Sequence, residues 1–233
     1  MSGRVEILEV ELASAPVDRA AVEEFYGERL GLARLGGVDG VTRFAVGAAS
    51  LSFRDGSAGE RPFYHFALLV PGNRFDAARR WGSSAAPLLP YEGETRLRFD
   101  DWDADACYFL DPAGNIVELI AHHGVAESVA TGSFDVSEVR GVSEIGIVVT
   151  APVEAIALLE RAGLPLWSGD ARARGEVFAF VGRKAHTAIL TSPGHPWLPT
   201  GRPAEVHPLT TSIRVADDRT CALAVTSGRL TVA

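Results

Sequence analysis

The sequence predicts an α+β protein assembled from repeated units of strand, helix and three strands (βαβββ). Three observations predict it. The opening strands of three segments align as EVEL, HFAL and EIGI, which puts Glu9, His65 and Glu144 in register at a spacing of roughly 60–80 residues. Each opening strand leads into an amphipathic helical stretch and then into short apolar runs divided by turns. Residues 104–124, ADACYFLDPAGNIVELIAHHG, read as strand, tight turn and strand. In that turn Asp111 caps, Pro112 presets φ, and Gly114 or Asn115 takes the left-handed position. A sheet with a helix on one face leaves its other face uncovered, so two such units can close a cleft between them.

In unit one, residues 5–12 alternate as a half-buried strand. Pro16 marks a turn, and Asp18 is an N-cap for a helix carrying Val22, Phe25, Tyr26 and Leu30, which Gly31 stops. Residues 32–35, 42–46 and 49–53 are short strands. The polar stretch RDGSAGERP, residues 54–62, links to unit two. There residues 64–70 form a strand and Asn73 caps a helix with Phe75, Ala78 and Trp81 inward. Residues 88–89, 95–99, 107–110 and 116–121 are its later strands. Residues 124–141, small and polar, form a second linker. Unit three has strands at 144–149, 164–167, 177–181 and 187–191 around a helix at 153–161. Residues 193–208 read as a Pro- and Gly-rich connection and 210–216 as a further strand; residues 222–233 are weakly patterned. The expected organisation is a cleft-forming pair over residues 1–124 (unit one 4–58, unit two 62–123), then a third unit and a partial fourth over 142–233.

A hydrophobic content of 47% with 22% charged residues suits a globular core, and the net charge of −8 without a Lys/Arg cluster argues against a nucleic-acid surface. Cys107 and Cys221 sit in apolar company and read as core residues. The N-terminus has no apolar run of signal length, and no run nears the roughly 20 residues that cross a bilayer. A cytoplasmic location without membrane contact is therefore expected.

Three motifs resemble the vicinal oxygen chelate superfamily, which includes glyoxalase I, extradiol ring-cleavage dioxygenases and bleomycin resistance proteins. They are FYGERLGL (25–32), HFALLV (65–70) and, most specifically, YFLDPAGNIVEL (108–119). The resemblance is good over residues 5–123 and rests on topology from 143 to about 191. It implies paired βαβββ units around an open, barrel-like cleft with a divalent metal on their first and last strands. Carried over by position, the metal positions are Glu9, Ser50, His65 and Glu118, of which Glu9, His65 and Glu118 can ligate. An insertion in the loop at 14–17 leaves Glu11 as the alternative to Glu9. Two carboxylates and one His carry −2, which a divalent ion offsets. Oxygen-rich sets favour Mn²⁺, Fe²⁺ or Mg²⁺, with Zn²⁺ also admitted. Ring-cleaving members use two His and one carboxylate, and glyoxalase I uses four ligands, so this chain departs from both.

Glu11, Ser50, Tyr64, Trp102 and Tyr108 are assigned to the substrate cleft. Glu144 is not expected to ligate, because the last strand of its unit, HTAILTS, carries no carboxylate. His122 and His123 follow a strand end and read as surface residues. One divalent metal and a small-molecule partner are expected. Whether the chain is a metal-dependent enzyme or a bleomycin-resistance-like binding protein stays open at this level. With units one and two closing the cleft, the open face of unit three could pack on the fourth-unit fragment or on a second chain, which favours a homodimer.

Overall fold

The structure, a computed structural model, describes residues 5–36, 39–169 and 177–233. The expected start of unit one at residue 4 lies outside them. Unit one comprises β1 (Glu6–Ser14), α1 (Arg19–Glu24), β2 (Arg34–Leu35), β3 (Val41–Val46) and β4 (Ala49–Asp55). Unit two comprises β5 (His65–Leu69), α2 (Phe75–Ala85), β6 (Leu88–Leu89), β7 (Leu97–Phe99), β8 (Ala104–Leu110) and β9 (Ile116–His122). Unit three comprises β10 (Gly141–Val148), α3 (Pro152–Ala162), β11 (Leu166–Gly169), β12 (Phe178–Arg183) and β13 (His186–Thr191). The stretch read as a plain connection folds into a small hairpin, β14 (Pro196–Trp197) and β15 (Arg202–Pro203). The weakly patterned C-terminus continues a meander of β16 (Leu209–Ala216), β17 (Arg219–Thr226) and β18 (Arg229–Val232).

Each complete unit lays its first strand parallel to its last: β1 on β4, β5 on β9, β10 on β13. One face of these sheets takes the helices and buries Val22, Phe25, Phe75, Ala78, Ile156 and Leu159. Asp18 precedes α1 but makes no side-chain cap, and α1 runs on into a π-helical turn, Phe25–Arg29. Asn73 does not cap α2 either. Its side chain holds Ser128 of the second linker, accepting from the backbone N–H at 3.0 Å and donating to the carbonyl at 2.7 Å.

The pairing of units differs from the expected one. The outer edge of β5 pairs antiparallel with β10, with Phe66 opposite Ile145 and Ala67 opposite Glu144. Unit one instead pairs through β1 with β16, with Val10 opposite Thr211. The four segments are therefore nested: two closes on three, and one closes on the fragment. The two halves touch where Ile7 meets Val142. The second linker is the physical reason. It runs back along β5, and Arg140 N–H donates to the Leu69 carbonyl at 2.8 Å, so β10 starts already seated on that edge. Glu138 clamps the linker, accepting from Arg74 Nε at 2.9 Å and from Ser128 Oγ at 2.9 Å. Unit three thus has its partner within the chain, which removes the reason for expecting a second copy there.

The DPAGN turn ties the halves together. Gly114 takes a φ of +84°. The buried Asp111 carboxylate accepts from Asn115 N–H at 2.8 Å, Asn115 Nδ2 at 2.7 Å and Tyr26 Oη of unit one at 2.7 Å. Burial still pushes the Asp111 pKa up, against the pull of these donors. Cys107 and Cys221 are buried free thiols. Among the described residues, no helix is long and apolar enough to cross a membrane.

Two measurements check these ties. Tyr26→Phe removes a donor from a buried carboxylate and should lower unfolding free energy by about 1–3 kcal/mol in urea; an unchanged midpoint would show that the tie carries no stability. The Arg74 hydrogen bond pushes the Glu138 pKa down to about 2 from 4.5. A depressed folded-state pKa contributes stability above the unfolded pKa that is lost as pH falls through the folded one. Wild type should therefore lose thermal stability between about pH 4.5 and pH 2 more steeply than Glu138→Gln, and parallel profiles would contradict this.

Candidate metal centre

The antiparallel β5–β10 junction brings three ligand-type side chains together on the face opposite the helices. His65, Glu118 and Glu144 each offer an atom within 4.8 Å of the others. All three are buried, at 5%, 2% and 2% exposure. Alternation explains the facing. Glu118 is the ladder partner of Ala67 on β9, two residues beyond His65, and Glu144 is the partner of Ala67 on β10. Small residues on the same face, Ala67, Ala104, Ala106 and Gly146, leave room above the sheet.

His65 Nδ1 lies 3.1 Å from the Ile116 carbonyl oxygen. A carbonyl only accepts, so Nδ1 carries the proton, and in the neutral ring Nε2 presents a lone pair. That Nε2 sits 3.4 Å from Glu118 Oε2. Three ligand-type groups thus face one another in a buried space. Burial first, and the Glu118 charge second, push the Glu144 pKa well above the carboxylate range. Glu144 Oε1 has no hydrogen-bond partner. Ligands bound at 2.0–2.2 Å lie at most about 4.4 Å apart, so only a small adjustment would let this set share an ion. The donor set fits a divalent cation in chemistry, charge and spacing.

A cavity of about 620 Å³ opens beside the three residues. Trp102, Tyr108, Phe178, Phe180 and Trp197 wall it, and Arg98, Asp100 and Asp101 also line it. Burial, then the Glu118 and Glu144 carboxylates, keep the Tyr108 phenol protonated well past its usual range. Trp197 comes from the β14–β15 hairpin, and its ring centroid lies 5.1 Å from that of His65. It fits only because residue 146 is glycine: a Cβ there would meet Trp197 Cη2 at 2.9 Å and the His65 carbonyl oxygen at 3.1 Å.

Several assigned residues fall elsewhere. Glu9 is not part of the group. It lies in the other cleft, between unit one and the fragment, where Arg43 Nη2 binds it at 2.6 Å. Glu11 lines that cleft as well and pairs with Arg54 at 2.7 Å. Ser50 pairs with Glu9 in the ladder and accepts from Arg43 at 2.9 Å. By the offset that relates Glu118 to His65, Ser52 rather than Ser50 matches Glu118. Tyr64 points to the helix-side core, and its hydroxyl joins the Pro208 carbonyl at 2.6 Å to the Ala13 N–H at 3.1 Å. Trp102 and Tyr108 do line the cavity with His65 and Glu118.

Glu144 was set aside for want of a carboxylate on the strand beside it. The position on β13 that matches Glu118 is Ile189, so unit three brings one ligand-type side chain to the group of three. His122, read as a surface residue, is fully buried. Its ring lies 6.5 Å from Trp102 and 6.2 Å from Trp167, centroid to centroid. Its one legible signal was the two-residue period that puts it on the face of Glu118 and Ile120. Burial lowers its pKa to about 4, so the ring is neutral near pH 7. His123 is half-buried and contacts the buried Asp105 carboxylate at 2.7 Å.

No family model matches this chain, and no curated protein matches it by sequence. Solved structures do. Glyoxalase I from Zea mays superposes with a TM-score of 0.50 at 17% identity, over 81% of this chain and 67% of its own. A protein assigned as a dioxygenase from Bacillus subtilis superposes with a TM-score of 0.50 at 17% identity, over 86% and 66%. A glyoxalase/bleomycin resistance protein/dioxygenase from Nocardioides covers 57% of this chain and 93% of its own at 18% identity and a TM-score of 0.39. The fold is therefore that of the glyoxalase and dioxygenase proteins. Within that class its architecture is one of paired βαβββ units.

Gly146→Ala should unseat Trp197. We expect a loss of about 1–3 kcal/mol on urea unfolding, with a red-shifted tryptophan emission. Unchanged stability and emission would contradict the seating of Trp197 over Gly146.

Proposed function

We propose that this chain is a metal-dependent enzyme of the glyoxalase/dioxygenase type. One divalent cation is held by His65, Glu118 and Glu144 and serves a small molecule that binds through two adjacent oxygens. The observation that supports this is the convergence of three buried acceptors with no cation among them by chemistry: a lone-pair nitrogen and two carboxylates. Burying both carboxyl groups costs several kcal/mol, whether Glu144 stays charged or takes up a proton, and a divalent ion offsets that cost. Two carboxylates and one imidazole favour Mn²⁺ or Fe²⁺, with Zn²⁺ also accommodated.

When bound, such an ion polarises a substrate oxygen and stabilises charge that develops on it. The protein supplies the rest. The Ile116 carbonyl fixes the His65 ring so that Nε2 faces the site. Three protein ligands leave positions for two substrate oxygens, and the apolar Ile189 stands where a fourth ligand would. The aromatic walls offer flat surfaces to an apolar substrate body.

Elemental analysis of protein purified without chelator should find about one divalent metal per chain. His65→Ala, Glu118→Gln and Glu144→Gln should each abolish it, and Glu9→Gln should leave it unchanged. Metal-free wild type would overturn the proposal and leave a binding cleft that works without an ion. Loss in Glu9→Gln but not in Glu144→Gln would move the site to the other cleft.

A further inference from the structure

Behind the three ligands lies a second set of polar atoms that the fold leaves without partners. Glu144 Oε1, both ring nitrogens of His122 and Thr187 Oγ1 are all buried with no hydrogen bond of acceptable geometry. The backbone of Trp102 lies close enough to His122 to favour a proton on its ring but makes no well-formed bond to it. The atoms come from three strands. His122 ends β9, four residues beyond Glu118 and on the same face. Thr187 on β13 is the ladder partner of Glu144 on β10. His122 Nε2 stands 4.0 Å from Glu144 Oε1, beyond hydrogen-bond range yet with the two aromatic walls fixing its ring.

A buried imidazole with neither nitrogen well satisfied is rare, because each unmade bond costs about 1–3 kcal/mol. Packing alone gives no reason for it, since a phenyl ring would fill the space between Trp102 and Trp167 without that penalty. The arrangement makes sense if the missing partner is Glu144 in a second position.

We propose that His122 is a positioning residue for the ligand carboxylate Glu144: its Nε2–H donates to Oε1 once a cation holds Glu144 in place. Thr187, the ladder partner of Glu144, supplies a second donor, its hydroxyl, beside the same carboxylate. This inference rests on the metal reading of His65, Glu118 and Glu144. It adds a residue outside that set and gives Glu144 Oε1 a donor. Carboxylate ligands held by a neighbouring donor keep their orientation, and loss of such a donor weakens metal binding by about 10–100-fold.

The test uses the full chain and cobalt(II), followed by calorimetry and visible absorption, beside thermal unfolding of the metal-free protein. His122→Phe keeps the ring packing and removes both nitrogens. It should bind one cobalt per chain with affinity lowered about 10–100-fold, show an altered visible spectrum, and unfold at the same or a higher temperature without metal. His122→Gln keeps an N–H near the position of Nε2 and should recover most of the affinity. Wild-type affinity and spectrum in His122→Phe would overturn the proposal while leaving the metal site standing. Wild type that binds no cobalt would instead overturn the metal reading on which it rests. Failure of both variants to fold would assign His122 to packing and likewise overturn it.

Discussion

Everything at the candidate site depends on one strand pairing, β5 against β10. It sets Ala67 opposite Glu144, and Ala67 is also the ladder partner of Glu118, so two acids from different units flank one alanine. His65 stands two residues along on the same face. A shift of one residue at this junction would turn Glu144 to the helix-side core and dissolve the group. The linker clamped by Glu138 and Arg74 is what makes that register reproducible, since it delivers β10 to the edge of β5 through the Arg140–Leu69 hydrogen bond.

The same folding rule, applied twice in one chain, yields two clefts with opposite chemistry. In the cleft between unit one and the fragment, Arg43 and Arg54 neutralise Glu9 and Glu11, so those carboxylates already have cations. Among the described residues, no arginine pairs with Glu118 or Glu144 in the cleft between units two and three, and Arg98 is the only Arg or Lys that lines the cavity. Arg98 itself is bound to Asp100 and Asp103. A buried carboxylate pair without an arginine partner among the described residues, beside an aromatic-walled cavity, is what sets this cleft apart from the other.

Much of the fold was legible in the sequence because it is local. The βαβββ periodicity, the DPAGN turn and the inward-facing Glu118 follow from alternation and turn chemistry within short windows. His65 was legible for the same reason, as the polar opening of an otherwise apolar strand. What was not legible is which unit closes on which. That choice is made by long-range edge pairing and by a linker whose anchors give no such sign in the sequence: Asn73 reads as a helix cap, and Arg74 and Glu138 look like ordinary surface residues. Glu9 and Glu144 are equivalent by repeat position, and only the nesting tells them apart. His122 was missed because the strand runs one residue further than its apolar run suggested, which carries a histidine into the interior.

The central claim is that a divalent cation belongs between unit two and unit three. The most direct measurement is anomalous diffraction from crystals of the full chain grown with Mn²⁺. The account predicts a single strong peak bounded by His65 Nε2 and the carboxylates of Glu118 and Glu144. A peak beside Glu9 and Glu11, or none at all in crystals saturated with the ion, would contradict it.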